Sequence, residues 1–192
     1  MEKQIVQFLQ EIEQLKSTLR HNWTKTGRQE SVAEHTWRIA ILFILVYEAY
    51  GLKVDPLKCL KMILIHDIPE MYHGDIPGWM KEVDEKQHRK HKEREAKVSQ
   101  KMFKKLPKEL QNHLDAINSE YETHATEESK LAHALDKIES QLQHLDSGPE
   151  YWSAEEKGQH MLHYPDSALR KLDDVHIQKI WDLIRSRIEK IT

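Results

Sequence analysis

The sequence is short of the features that mark disulfide-stapled, membrane-spanning and polyanion-binding proteins. Cys59 is the one cysteine in 192 residues, so no internal disulfide is available. Within "DPLKCLKMILIHD" it is expected to fill core space, because a free cysteine behaves as a small hydrophobe. The longest apolar run, Ile39 to Tyr47, has nine residues, well under the ~20 that span a bilayer. The N-terminal stretch "MEKQIVQFLQEIEQL" carries charges inside any apolar segment and has no small-residue cleavage site, so no secretory signal is read there. Neither charge sign dominates: 29 basic against 32 acidic residues give −3, with no bulk attraction to polymeric nucleic acid or an anionic membrane. These deficits favour a cytoplasmic location.

Prolines and glycines number six each, which leaves long uninterrupted stretches with helical apolar spacing. With 39% hydrophobic and 32% charged residues, the chain reads as globular, with a sizeable core. Ile5, Phe8, Leu9, Ile12, Leu15 and Leu19 step by three and four, predicting a helix over 2–20. Ser31 and Glu34 have capping-box spacing ahead of a helix over 32–50 that stops at Gly51. Pro56 opens a third helix that ends near Asp67, since Pro69 disfavours helical geometry before it. Further helices are expected at about 82–105, 107–120, 127–147, 153–162 and 166–190, and no alternating strand stands out. An all-α bundle follows. "DSGPEYW" at 146–152 is the nearest thing to a boundary. It divides 1–148 from a C-terminal helical extension, 149–192, expected to pack on the same domain or on a partner subunit through its isoleucine stripe at 177, 180, 184, 188 and 191.

Thirteen histidines make any single pair uninformative, so burial has to select among them. His35 lies in line with Ile39 and Leu42; His66 and Asp67 close the apolar run "MILIHD"; Asp136 sits at the edge of the stripe Leu131, Leu135, Ile138, Leu142. Ionised carboxylates near a core are costly unless something positive compensates them. Two imidazoles and two carboxylates with no cation in those stripes invite one divalent ion, and that donor set suits Mn, Fe, Co, Ni or Zn better than Mg or Ca. An ion there would acidify water for attack on an electrophile. Taken singly, each residue has a plainer reading: a hydrogen-bonded core histidine, a helix-end acid, an ion-pair partner for Lys137 or Lys130.

"RQESVAEHTW", "HDIPEMYHGDIP", "EYE" and "KLAHALDKIE" together resemble the successive motifs of HD-domain phosphohydrolases, most closely the 5′-deoxynucleotidases. Order and spacing carry the likeness over about 20–145: the His-Asp doublet follows His35 by 31 residues, and Asp136 follows Asp67 by 69. The resemblance implies hydrolysis of nucleoside 5′-monophosphates in an HD-domain helical bundle, with His35, His66, Asp67 and Asp136 as metal ligands. Glu70 matches the glutamate that handles the proton or orients water, and Asp75 matches a loop acid that assists the leaving group or holds water. Ile76, Pro77 and Gly78 match the substrate loop, Arg28 a phosphate-facing arginine, and Trp23 a base-stacking aromatic. Where the bacterial enzymes carry Arg-Trp, this chain has Asn22-Trp23, so Arg28 or Lys25 is expected to substitute. The resemblance also makes a homodimer plausible. Two other readings share the motifs: a phosphodiesterase or pyrophosphohydrolase, whose two-metal form would need further ligands such as His73, His113 or His124, and a non-catalytic metal-containing module. The mixed-charge run at 85–95, with His88 and His91, is expected to be a solvated helix face.

Overall fold

One long helix near the C-terminal end organises the rest. The computed structural model describes residues 1–75, 98, 101–154, 156–157 and 159–191. Among these the elements are α1 Glu2–Ile12, β1 Leu19–Trp23, β2 Gln29–Ser31, α2 Val32–Tyr50, α3 Pro56–Ile65 and α4 Glu70–His73. They continue with α5 Lys108–Thr123, α6 Glu127–Ser147, α7 Gln159–His163, α8 Asp166–Leu172 and α9 Val175–Ile188. The 21 residues of α6 make a rod about 31 Å long. Helices α2, α3, α5, α8 and α9 and strand β1 all pack on it, and the fold is an all-α bundle with one small hairpin. Leu131, Leu135 and Ile138 of α6 are buried with Phe43, Met62, Ile63 and Trp181 in one core.

Local chemistry explains where the central helices begin. Ser31 Oγ accepts the Glu34 N–H while the Glu34 carboxylate accepts the Ser31 N–H, and Gly51 closes α2 at φ +60°. The Asp55 carboxylate accepts the N–H groups of Leu57 and Lys58 at the start of α3, with Pro56 in the first turn. Thr126 and Ser129 form a second capping box for α6. Cys59 is fully buried, and burial pushes its thiol up to about 12. No helix among the described residues is long and apolar enough to cross a membrane.

The structure departs from the sequence expectation at three places. The first helix stops at Ile12, and Leu19–Trp23 pairs antiparallel with Gln29–Ser31 through an irregular register. The inward positions of that strand are Arg20 and Asn22, so a search for alternating apolar residues finds nothing to report. The hairpin turn carries Gly27 at φ +79°, where a Cβ would come within 2.6 Å of Tyr151 Oη. Ser153 and Glu156 make the two bonds of a capping box, yet the next helix, α7, is only Gln159–His163. The helix expected over 166–190 breaks at Asp173 (φ +52°), after which the Asp174 side chain caps α9. Ile177, Ile184 and Ile188 are buried within this chain together with Trp181, whose Nε1 donates to Asp166 Oδ1 at 3.0 Å. The helix expected over 82–105 and the charged run 85–95, with His88 and His91, lie mostly or wholly outside the described residues.

Candidate metal centre

Four side chains, from the start of α2, the end of α3 and the middle of α6, meet at one buried point. His35 stands in the first turns of α2, fixed by the capping box at Ser31, and is fully buried. His66 caps the end of α3 with Asp67 directly behind it, and Asp136 faces them from the third turn of α6, near the middle of that helix. His35 Nε2 lies 3.0 Å from Asp136 Oδ1 and 3.7 Å from Asp67 Oδ2, and His66 Nε2 lies 3.1 Å from Asp67 Oδ1. Donor atoms of His35, His66 and Asp136 all lie within 4.8 Å of one another.

Both imidazoles are oriented from behind. His66 Nδ1 donates to the Ile63 carbonyl at 2.8 Å, and His35 Nδ1 donates to the Glu139 carboxylate, itself fully buried on α6. Each ring therefore presents Nε2 to the shared point, the arrangement that prepares histidines for metal. His66 Nε2 and Asp67 Oδ2 are buried and make no well-aligned hydrogen bond, their nearest charged neighbours being Asp67 Oδ1 at 3.1 Å and Arg20 Nη1 at 3.6 Å, and buried polar atoms left so call for a better partner. A divalent cation satisfies both, so the donor set fits one.

The electrostatics of the metal-free centre are those of positive charge drawn in among carboxylates. Burial and Arg20 push the His35 imidazole down, but the carboxylates of Glu139 and Asp136 outweigh them and lift it up to about 10. Burial opposes ionisation of Asp136, yet Lys137, His35 and His66 hold its carboxyl well below the ordinary carboxylate range. The apolar stripes carry no cation, but two cations reach these acids from outside them, one of them the Lys137 partner that the plainer reading of Asp136 named. Lys137 Nζ is 3.1 Å from Asp136 Oδ2, leaving Oδ1 to face His35. Arg20 Nη1 is 3.6 Å from Asp67 Oδ2, while its Nε is 3.3 Å from Glu30 and its Nη2 donates to Ser140 Oγ. Despite burial, the fields of Asp75, Glu70, Asp67 and Glu30 raise that guanidinium further above its usual range.

Sequence reasoning missed Arg20, Glu30 and Glu139. A signal existed for Glu139, three residues beyond Asp136 and so on the same face of α6; Arg20 was hidden because its segment read as helix. Glu70, buried, opens α4, its N–H bonded to the Asp67 carbonyl. Asp75 Oδ2 accepts from the His21 backbone N–H at 3.2 Å and contacts His21 Nδ1 at 2.8 Å. Glu34 is engaged at the α2 cap, as its spacing suggested. Arg28 and Lys25 are exposed on the hairpin, and the Arg28 guanidinium is paired with Glu34. Asn22 is fully buried and donates to the Ser140 carbonyl, and Trp23 stacks on Tyr151 with ring centres 5.2 Å apart. Ile76, Pro77 and Gly78, and the side chain of His73, lie outside the described residues.

A family model described as HD domain matches residues 12–179. A Bos taurus protein named 5′-deoxynucleotidase HDDC2 is 30% identical over 180 residues, 93% of this chain and 82% of its own length. A Schizosaccharomyces pombe protein named 5′-deoxynucleotidase hdd1 is 31% identical over 140 residues, 70% of this chain and 68% of its own. Among solved structures, a "predicted metal-dependent phosphohydrolase" from Magnetospirillum magnetotacticum superposes with a TM-score of 0.78 at 26% identity, covering 98% of this chain and 94% of that one.

Proposed function

The chain belongs to the HD-domain family, and from that premise we propose that it is a metal-dependent phosphomonoesterase that hydrolyses deoxyribonucleoside 5′-monophosphates to nucleoside and phosphate. The observation that carries this reading is the convergence of His35, His66, Asp67 and Asp136 on one buried point with both Nε2 atoms turned inward. These four residues would hold one ion of Mn, Fe, Co, Ni or Zn. When bound, such an ion supplies Lewis acidity to a phosphoryl oxygen and lowers the pKa of water. The preference for deoxynucleotides is drawn from the names of the relatives, which span most of this chain.

The protein's own groups divide the remaining work. Glu70 takes the proton of the attacking water, since it stands one turn past Asp67 and within the field of Arg20. Asp75, held by His21, delivers or steadies a proton at the leaving 5′-oxygen. Arg20 is a positioning residue: its guanidinium spans Glu30, Asp67 and Ser140 and sets the Asp67 carboxylate in place. Trp23, half-buried against Tyr151, offers a face to the base. In this reading Ile76, Pro77 and Gly78, which lie outside the described residues, contact the substrate, and Arg28 or Lys25 its phosphate.

The domain is read as 1–148 with the C-terminal helices docked on α6 of the same chain, and the protein as a cytoplasmic homodimer. Supporting the dimer, α2 exposes Trp37 (63%), Ile41 (41%) and Leu45 (62%) at steps of four on a helix apolar nearly all round. Light scattering should give twice the chain mass, and Trp37→Glu should halve it; a monomeric native chain would end the dimer reading.

The test of the activity is a screen of the full chain, stripped and reloaded with each of these metals, against deoxy- and ribonucleoside 5′-monophosphates. Phosphate release from the deoxy substrates with at least one metal, abolished in Glu70→Ala while the ion is retained, is expected. Release from none would remove the proposal.

A further inference from the structure

Directly after Arg20 in β1, His21 takes part in a second cluster that the proposed reaction does not use as a metal site. His21 Nε2 lies 3.3 Å from Glu156 Oε1, and His144 Nε2 lies 3.8 Å from the same oxygen. Donor atoms of the three side chains all fall within 4.8 Å of one another, and the rings of His21 and His144 are 5.5 Å apart. Strand β1, the last turns of α6 and the segment after Trp152 thus contribute one ligand each.

We propose that His21 Nε2, His144 Nε2 and Glu156 Oε1 form a second metal site, for a zinc-type transition ion, separate from the centre at His35. Bonds of ~2.0 Å in a tetrahedron put ligand atoms about 3.3 Å apart, which matches the His21–Glu156 spacing, while His144, 3.8 Å from the same oxygen and within 4.8 Å of the His21 donor atom, closes in on the ion. The supporting contacts are those that ligating groups require. Asp75 Oδ2 lies 2.8 Å from His21 Nδ1, so the ring donates there and presents Nε2 toward Glu156. Glu156 Oε2 accepts the Ser153 N–H at 2.7 Å, leaving Oε1 to face the imidazoles. The side chains of His144 and Glu156 are 6% and 8% exposed, whereas His21 is 22% exposed, so water can reach the fourth position.

This site is not the second half of a binuclear centre. His144 is eight residues beyond Asp136 on α6, about 12 Å along the axis, whereas paired catalytic ions sit roughly 3.5–4 Å apart. An ion here ties the hairpin to the C-terminal segment and, through the His21–Asp75 contact, to the residues behind the His-Asp doublet.

The test counts zinc by equilibrium dialysis of the chelator-stripped full chain against a zinc buffer, in the native protein, His144→Gln, Glu156→Gln, Asp136→Asn and the double variant His144→Gln/Asp136→Asn. The proposal expects His144→Gln and Glu156→Gln each to lose one ion, Asp136→Asn to lose a different one, and the double variant to lose both. Equal zinc in the native protein and in both His144→Gln and Glu156→Gln, with loss only in Asp136→Asn, overturns the second site and leaves the first standing. The converse pattern, loss in His144→Gln and none in Asp136→Asn, supports this site and counts against the centre at His35. Zinc should also raise the melting temperature of Asp136→Asn but not of the double variant; equal shifts in the two overturn the proposal.

Discussion

Across 104 residues of sequence, the Glu139 carboxylate on α6 holds Nδ1 of His35 on α2, and both side chains are fully buried. That contact decides which nitrogen of His35 faces Asp136 and Asp67, so a residue that need not touch the ion controls how well it is held.

Replacing Glu139 by Gln should therefore leave the helical fold intact and weaken metal affinity roughly 10–100-fold, the usual consequence of losing an orienting carboxylate behind a ligating histidine. Competition with a chelator of known affinity measures it. Unchanged affinity would mean that Glu139 does not orient the ring.

Arg20 is buried among Glu30, Asp67 and Ser140. Arg20→Met leaves those carboxylates uncompensated, and breaking a buried pair in this way costs about 3–5 kcal/mol. Urea denaturation of the metal-free protein should show that loss. A change under about 1 kcal/mol would place the guanidinium outside the stabilising network.

The α2 cap gives a pH dependence. Its bonds to Arg28, against a partial burial that works the other way, bring the Glu34 carboxyl down from its usual range to about 2. A depressed folded-state pKa means stability that is present above the ordinary carboxylate range and is lost as pH falls toward about 2. Glu34→Ala should cost roughly 1 kcal/mol at pH 7. The gap between native protein and variant, followed by denaturant titration, should narrow steadily below about pH 4.5. A gap independent of pH would assign the effect to helix propensity alone.

Helices with strong boundary residues were legible in the sequence: Ser31, Glu34 and Gly51 bracket α2, Pro56 starts α3, and the 127–147 stripe coincides with α6. The hairpin was not legible, because Arg20 and Asn22 occupy the inward positions where a strand ordinarily carries apolar groups. The break at Asp173 was equally hidden, since the apolar stripe continues in phase across it while an aspartate takes the left-handed conformation. For the site, the residues that resemble the family's ligands could be named from motif order. The groups that orient them could not, because contacts such as Arg20 with Asp67 or His35 with Glu139 join segments whose pairing a single sequence does not encode.

The claim on which the rest depends is that His35, His66, Asp67 and Asp136 enclose one ion. Crystals of the metal-loaded chain, measured on both sides of that metal's absorption edge, test it most directly. The account predicts an anomalous peak within roughly 2.0–2.2 Å of both Nε2 atoms and of one oxygen from each aspartate. A structure with no peak among these four side chains, while the metal is bound elsewhere in the same crystal, would contradict it.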